Sequence, residues 1–282
     1  MNVEIRNKHL TARISSFGAE LQSLVLNETG REYIWYGTKE IWSGKSPILF
    51  PTVGMLLDGK YRFNGKEYRL NKHGFARNSD FEFEKPDEKT ARFMLYESEK
   101  TLESYPFRFK LEIVFELCVN TLKVTHNVTN TGENEMYFSF GAHPAFNVKN
   151  EAKIVFDEKE NLVTSRMDEN GIITDEKEKI VDNSNVLEID EKTFLKDALI
   201  FENVKSKSGV LYEGEKKLLR FDWGDAPYLG FWAKPGAPYV CIEPWYGVND
   251  DYCRKSDISQ KVGIQKLNAG KTFSYAWSAE IF

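Results

Sequence analysis

Two stretches of this chain set an ionisable residue directly before a proline, at the end of an apolar run. One is Phe138-Ser139-Phe140-Gly141-Ala142-His143-Pro144-Ala145-Phe146; the other is Val240-Cys241-Ile242-Glu243-Pro244-Trp245-Tyr246-Gly247. The apolar residues predict strands, with Met136, Phe138 and Phe140 sharing one face of the first. Proline lacks an N–H and fixes its own φ, so each strand is expected to stop there. His143 and Glu243 are therefore expected at strand ends, on stiff turns with aromatic walls. A third stretch, Asn71-Lys72-His73-Gly74-Phe75-Ala76-Arg77-Asn78, collects a histidine, a glycine and an arginine in a loop between strands. Gly74 lets the backbone turn tightly or approach a ligand closely, and polar loops on a β scaffold are where binding usually resides.

Each of these residues also has a plainer reading. A lone histidine in a β protein is most often a satisfied core or surface residue, and a lone carboxylate is most often half of a salt bridge or a backbone cap. His143 stands apart by its Gly-Ala lead and following proline, His73 by sharing a loop with Arg77. Glu243 is flanked by Ile242, Pro244, Trp245 and Tyr246, and burial among them would raise its pKa toward a range useful for proton transfer. Together His73, His143 and Glu243 suit an acid–base site. A metal site is the rival; no His-Glu-x-x-His motif supports it, yet distance along the sequence does not exclude it. A serine nucleophile is weaker still, because no Gly-x-Ser-x-Gly elbow occurs. His126 lies within a strand with no small residue or proline beside it, and reads as an ordinary solvent-facing or half-buried residue.

The scaffold that must position these groups reads as nearly all β. At 282 residues the chain is long for one domain, but large all-β sandwiches reach this length undivided. No repeat, linker or low-complexity tract divides it, so residues 1–282 are read as a single large antiparallel β-sandwich. Residues 1–35 form a meander. Ser46 to Gly54 has two prolines around an apolar run and reads as a buried extended segment lining something. Phe63-Asn64-Gly65-Lys66 is a strong hairpin signal. Phe109, Leu111, Ile113, Phe115 and Leu117 alternate cleanly, with one face buried, and Asn120-Thr121 turns that strand into Leu122 to Thr129. The charge runs within 147–197, such as Asp157-Glu158-Lys159-Glu160, read as solvated turns and excursions. Lys205 to Gly209 reads as a hairpin between Leu199–Val204 and Val210–Tyr212. Strands follow at Leu218–Trp223, Leu229–Trp232 and Tyr239–Ile242. Val262–Leu267 and Phe273–Trp277 read as a terminal hairpin around Asn268-Ala269-Gly270. No segment shows a sustained helical period.

Composition narrows the function. The formal net charge of -5 is mild and the charges are interspersed, so nothing suggests a nucleic-acid partner. The N-terminus lacks the apolar run of a signal peptide, and no apolar segment is long enough to span a membrane. Cys118, Cys241 and Cys253 fit neither a disulfide framework nor a metal motif; they read as buried or incidental thiols in a reducing cytoplasm. Aromatic residues reach 14%. Most of them will pack the core and across strands; an aromatic ring also suits the C–H face of a sugar, and composition does not separate the two roles.

Four stretches in this order resemble the aldose 1-epimerase (galactose mutarotase-like) family, particularly its LacX-like branch. They are Ile48-Leu49-Phe50-Pro51 with Val53-Gly54, Lys72 to Arg77, Gly141 to Phe146, and Glu243-Pro244-Trp245. The resemblance implies a β-supersandwich that interconverts α and β anomers of an aldohexose without metal or organic cofactor. It implies Glu243 as the base at the C1 hydroxyl and His143 as the acid at the ring oxygen. It also implies that the His73–Arg77 loop binds sugar hydroxyls and that an aspartate accepts from another, for which Asp197 is the candidate. Trp245 and Lys72 complete the expected substrate contacts. A related branch acts on hexose 6-phosphates, and Lys45, Lys72 and Arg77 are the cations available for a phosphate. The Arg-Gly-Gly-Ile approach associated with that branch is replaced here by Trp42-Ser43-Gly44-Lys45-Ser46, which favours a free sugar. A non-catalytic carbohydrate-binding protein of the same fold is the alternative of another class, and both a monomer and a homodimer are compatible with the sequence.

Overall fold

The computed structural model describes residues 1–149 and 151–282. Two antiparallel sheets carry the architecture. The larger has nine strands in the spatial order Ile173–Ile189, Ala152–Met167, Ser208–Glu213, Lys216–Asp222, Thr272–Ile281, Thr121–Asn130, Phe109–Cys118, Thr90–Tyr96, Glu82–Glu84. The smaller runs Leu199–Glu202, Trp232 back to Tyr228, Tyr239–Tyr246, Phe140–Ala142 and Ile48–Leu49, with Ala145–Asn147 also paired to Tyr239–Tyr246. Their inner faces meet through aromatic contacts: Phe146 on Phe221 at 5.6 Å, Phe231 on Phe156 at 6.2 Å and Tyr246 on Tyr275 at 4.9 Å between ring centroids. This is the sandwich that the alternation predicts, because a half-buried strand hides every second side chain. Phe109, Leu111, Ile113, Phe115 and Leu117 are all buried.

The local turn chemistry holds. Residues 2–32 form a four-stranded meander. Asn64 and Gly65 take φ of 49° and 77° at the tip of the Lys60–Phe63/Lys66–Arg69 hairpin, as a tight hairpin turn requires. Phe109–Cys118 and Thr121–Asn130 pair in register along their length.

Several expectations fail, each for a physical reason. Residues 152–167 and 173–189 are not excursions but one long, bulged antiparallel pair. Its inner positions Ile154, Phe156, Leu162 and Val181 are buried, while most of its charges lie on the solvent face. Glu160 and Arg166 are buried exceptions: Glu160 accepts from the Ser206 N–H and hydroxyl, both at 2.8 Å, and Arg166 donates to Glu178 at 2.8 Å. Residues 203–207 are no hairpin. Leu199–Glu202 belongs to the smaller sheet and Ser208–Glu213 to the larger, so the chain crosses between sheets there. The terminal hairpin also opens: Gln265–Leu267 pairs with Met136–Phe138, while Thr272–Ile281 enters the large sheet between Lys216–Asp222 and Thr121–Asn130. Met136–Phe138 and Phe140–Ala142 likewise separate at Ser139 into different sheets. A short α-helix, Glu99–Ser104, is closed by a capping box between Ser98 and Thr101; it is too short for a period to reveal it. His126 is fully buried between the sheets, 4.5 Å from Phe140, and not half-exposed. No helix among the described residues is long and apolar enough to cross a membrane.

Candidate functional site

The site lies on the outer face of the smaller sheet, at its one central irregularity. Phe140–Ala142 and Ala145–Asn147 both pair with Tyr239–Tyr246, and His143-Pro144 fill the interruption between them. Ile242 donates its N–H to the Pro144 carbonyl at 3.2 Å. Pro244, two residues on, therefore turns its donor-less nitrogen toward the same gap, where no ladder bond is forgone. The strand consequently continues through Pro244 to Tyr246, and Glu243 stands mid-strand instead of at the expected strand end. Strand alternation puts Tyr239, Cys241, Glu243 and Trp245 on the outer face.

His143 and Glu243 meet there, with Nε2 of the imidazole 3.2 Å from Oε2 of the carboxylate. Glu243 is 1% exposed and His143 8%. His143 Nδ1 is buried without a hydrogen-bond partner, and Glu243 Oε2 has the imidazole Nε2 within reach but no well-aligned hydrogen bond. Buried polar atoms are rarely left so, and such atoms converging on one cavity suit a polar ligand. Burial drives the Glu243 pKa well above the ordinary carboxylate value, with the nearby Lys72 ammonium pulling the other way. Burial drives His143 down to about 3. Either charge alone is costly here and is tolerable only opposite the other. The pair therefore titrates as a unit, with the uncharged form favoured. That reverses the resting state the mechanism implied by the resemblance assumes, an ionised Glu243 beside a protonated His143.

A loop and an extended segment roof the pair. Ile48–Leu49 joins the sheet edge, and the Phe50 carbonyl accepts from the Phe75 and Ala76 N–H groups at 2.9 and 3.1 Å. This is the buried lining segment that the two prolines predict, and it carries the Lys72–Arg77 loop. Gly74 has φ 71°, and a Cβ there would come within 2.3 Å of the Phe50 oxygen, so only glycine fits. His73 itself takes φ 67°, a strained conformation for a side-chain-bearing residue. The Gly54 N–H donates to His73 Nδ1 at 3.1 Å. A neutral imidazole accepting at Nδ1 carries its proton on Nε2. Burial, then the neighbouring His143, Lys72 and Arg77, hold His73 well below its usual pKa, so it is a neutral donor.

The resulting cavity, about 170 Å³, is lined by Lys72, His73, Arg77, His143, Asp197, Glu243 and Trp245. These are the seven residues singled out from the sequence, and the fold brings all of them together. Asp197 has φ 73° and turns its carboxylate back to the Ala198 N–H at 2.8 Å. Lys45 is not at the cavity; its ammonium lies 3.4 Å from the Gln22 carbonyl, so it leaves the expected cation group.

Sequence reasoning missed Trp42, Trp232, Met167 and Asn249, which also line the cavity. Trp42 packs against His143 at 5.2 Å, the rings tilted by 31°, and meets Trp232 edge-on at 5.3 Å. Its carbonyl is held by the Trp35 indole N–H at 2.9 Å. Asn249 donates to the Gly171 carbonyl at 2.7 Å, and its Oδ1 is buried and unpartnered. A Cβ on Gly54 would stand 2.1 Å from that oxygen. The clearest signal for the tryptophans was the unusual aromatic content; nothing local distinguished Asn249.

Fold and site together define a two-sheet β-sandwich with a buried acid–base pair in a small, polar and aromatic cavity. Within that class the chain belongs to the aldose 1-epimerase family, whose family model matches residues 1–278. It is similar to the chromosomal protein LacX of Lactococcus lactis subsp. lactis, at 29% identity over 95% of each chain. Its fold is that of a galactose mutarotase related enzyme from Lactobacillus acidophilus, with a TM-score of 0.94 and 31% identity over 100% of this chain and 97% of that one. A galactose mutarotase-like protein from Lactobacillus casei ATCC 334 superposes with a TM-score of 0.95 at 28% identity, over 100% of both chains.

Proposed function

We propose that this protein is a cytoplasmic isomerase that interconverts the α and β anomers of a free aldohexose by general acid–base ring opening. The observation that carries the reading is the 3.2 Å contact between His143 Nε2 and Glu243 Oε2 inside the cavity. Opening a cyclic hemiacetal needs one proton removed from the C1 hydroxyl and one delivered to the ring oxygen. A carboxylate–imidazole pair that shares one proton supplies both. Glu243 takes the hydroxyl proton, His143 protonates the ring oxygen, and the C1–O5 bond breaks to the open-chain aldehyde. Rotation about C1–C2 presents the other carbonyl face, and the reverse transfers close the ring. The charged form of the pair that this requires is disfavoured by burial. Sugar hydroxyls donating to the carboxylate offset that cost; the Lys72 ammonium favours the ionised Glu243 but opposes the protonated His143.

In this reading His73 donates its Nε2–H to a sugar oxygen, Arg77, Lys72 and Asp197 hold hydroxyls, and Trp245 meets an apolar sugar face. With Lys45 turned away, only Lys72 and Arg77 of the three expected cations line the cavity, which supports a free sugar over a sugar phosphate. Polarimetry on freshly dissolved α-glucose, α-galactose and a hexose 6-phosphate tests the proposal. Faster equilibration of a free sugar is expected. Acceleration of the phosphate alone would move the substrate class to sugar phosphates, and acceleration of none would leave a binding protein.

A further inference from the structure

The proposed reaction gives Cys241 no role, yet its position is singular among the described cysteines. Cys118 and Cys253 are exposed, while Cys241 is fully buried. It stands two residues before Glu243, on the same face of the same strand. The register sets it opposite Ala145, beside the interruption that holds His143. One ligand atom each from His143, Cys241 and Glu243 lies within 4.8 Å of the other two.

A tetrahedral zinc ion with ligands at about 2.0–2.3 Å has ligand–ligand edges of roughly 3.3–3.8 Å. The imidazole–carboxylate edge is already 3.2 Å, so small side-chain rotations close the rest. Imidazole, thiolate and carboxylate together make a borderline-soft donor set, which suits zinc. A further observation points to a ligand: Glu243 Oε2 accepts no hydrogen bond, and Glu243 and His143 are both more than nine-tenths buried. Three protein ligands leave the fourth position of a tetrahedron open, and two of the three, His143 and Glu243, line the cavity.

We propose that His143, Cys241 and Glu243 form a three-ligand site for zinc, and that a bound ion excludes the sugar and switches the acid–base pair off. On binding, the Cys241 thiol and the protonated Glu243 carboxyl each release a proton to the medium, and the ion holds them as thiolate and carboxylate. The imidazole lone pair and the carboxylate oxygen that would exchange protons with the sugar become metal ligands. The inhibitory half of this proposal rests on the mutarotase reading; the binding half does not.

The test uses cobalt(II) as a spectroscopic stand-in for zinc, because a thiolate ligand gives it a near-ultraviolet charge-transfer band. The background is the full chain carrying Cys118→Ser and Cys253→Ser, in which Cys241 is the remaining thiol. One equivalent of cobalt should saturate the band and zinc should abolish it. Cys241→Ser, and Cys241→Ala as a second variant, should lose it. No band, or a band that survives both variants, overturns the site. In polarimetry, zinc should slow the parent protein, while Cys241→Ser keeps its rate and tolerates at least tenfold more zinc. A charge-transfer band in a protein that accelerates no sugar would leave the site standing and sink the mutarotase reading. A working mutarotase that binds zinc without slowing, or that speeds up, overturns the inhibition.

Discussion

The indole of Trp245 lies against Gly141 on the neighbouring strand: a Cβ at Gly141 would stand 2.6 Å from Trp245 Cδ1. On the other side, a Cβ at Gly230 would meet both Trp245 and Glu243 at 3.2 Å. The two side chains that floor the cavity can lie across the sheet because glycines flank them. Gly141→Ala is therefore expected to push the indole toward the cavity. The overpacking should cost about 1–3 kcal/mol and raise KM about tenfold or more. Thermal unfolding and steady-state polarimetry measure both. Gly132→Ala, whose added carbon meets nothing closer than 3.4 Å, is the control. Equal effects from the two would remove the packing argument.

Glu243→Gln and His143→Asn should each lower the anomerisation rate by about 10²–10⁴-fold, with unfolding temperatures close to that of the parent, since the resting pair is uncharged and neither substitution leaves a buried charge unpaired. The double variant should lose little more than either single one, because the pair acts as a unit. Additive losses would mean the two residues act independently. Near-normal turnover in either single variant would remove that residue from its role.

The pH profile follows from the buried pair. Burial holds His143 at about 3, far below the ordinary 6.5, and lifts Glu243 well above 4.5. The pair gains a second proton only as pH falls well below 6.5, and loses its shared proton only as pH rises through the elevated Glu243 value. The rate should show no step near pH 6.5, falling only at lower pH toward the His143 value and at higher pH as the raised Glu243 value is passed. Half-maximal activity near pH 6.5 would show an ordinary, solvated imidazole and contradict the burial argument.

His126 supplies a stability prediction independent of the site. Its ring is fully buried and both nitrogens lack partners, and burial lowers its pKa to about 3. The unfolded chain binds this proton below pH 6.5 and the folded chain does not until about 3. The contribution is thus complete above 6.5 and is lost as pH falls through that window, by about 1.4 kcal/mol per unit. His126→Leu should be neutral or stabilising at pH 7 and should flatten the acid dependence by one proton. His73 and His143, lowered in the same direction, should keep the rest. Urea unfolding at pH 7 and pH 5 checks it; an unchanged slope would mean His126 finds a partner.

Much of this was legible locally. The Asn64-Gly65 turn, the alternation from Phe109 to Leu117 and the proline-bracketed segment at Ser46–Gly54 are short-range signals, and each was read in its observed role. His126 was legible too, because it continues the inward rhythm of Leu122, Val124 and Val128. Its polarity obscured the period. The long strands within 152–189 were hidden by charge for a similar reason: a strand with one face in water can be charged at every second residue. The paired arms around 203–207 and 268–270 look like hairpins because a turn between two strands has the same local composition whether or not the strands go on to pair.

The sequence by itself determined the β character of the chain and its tight Asn-Gly turn, which rest on period and turn chemistry, and, through its motifs and the family they resemble, the seven polar and aromatic residues that came to line one cavity. Only the tertiary structure decided which strands pair, that Pro244 lies within a strand beside an interrupted neighbour, and that Trp42, Asn249 and Cys241 join His143 and Glu243. Those outcomes depend on contacts between residues far apart in the chain, and no local window of sequence contains both partners.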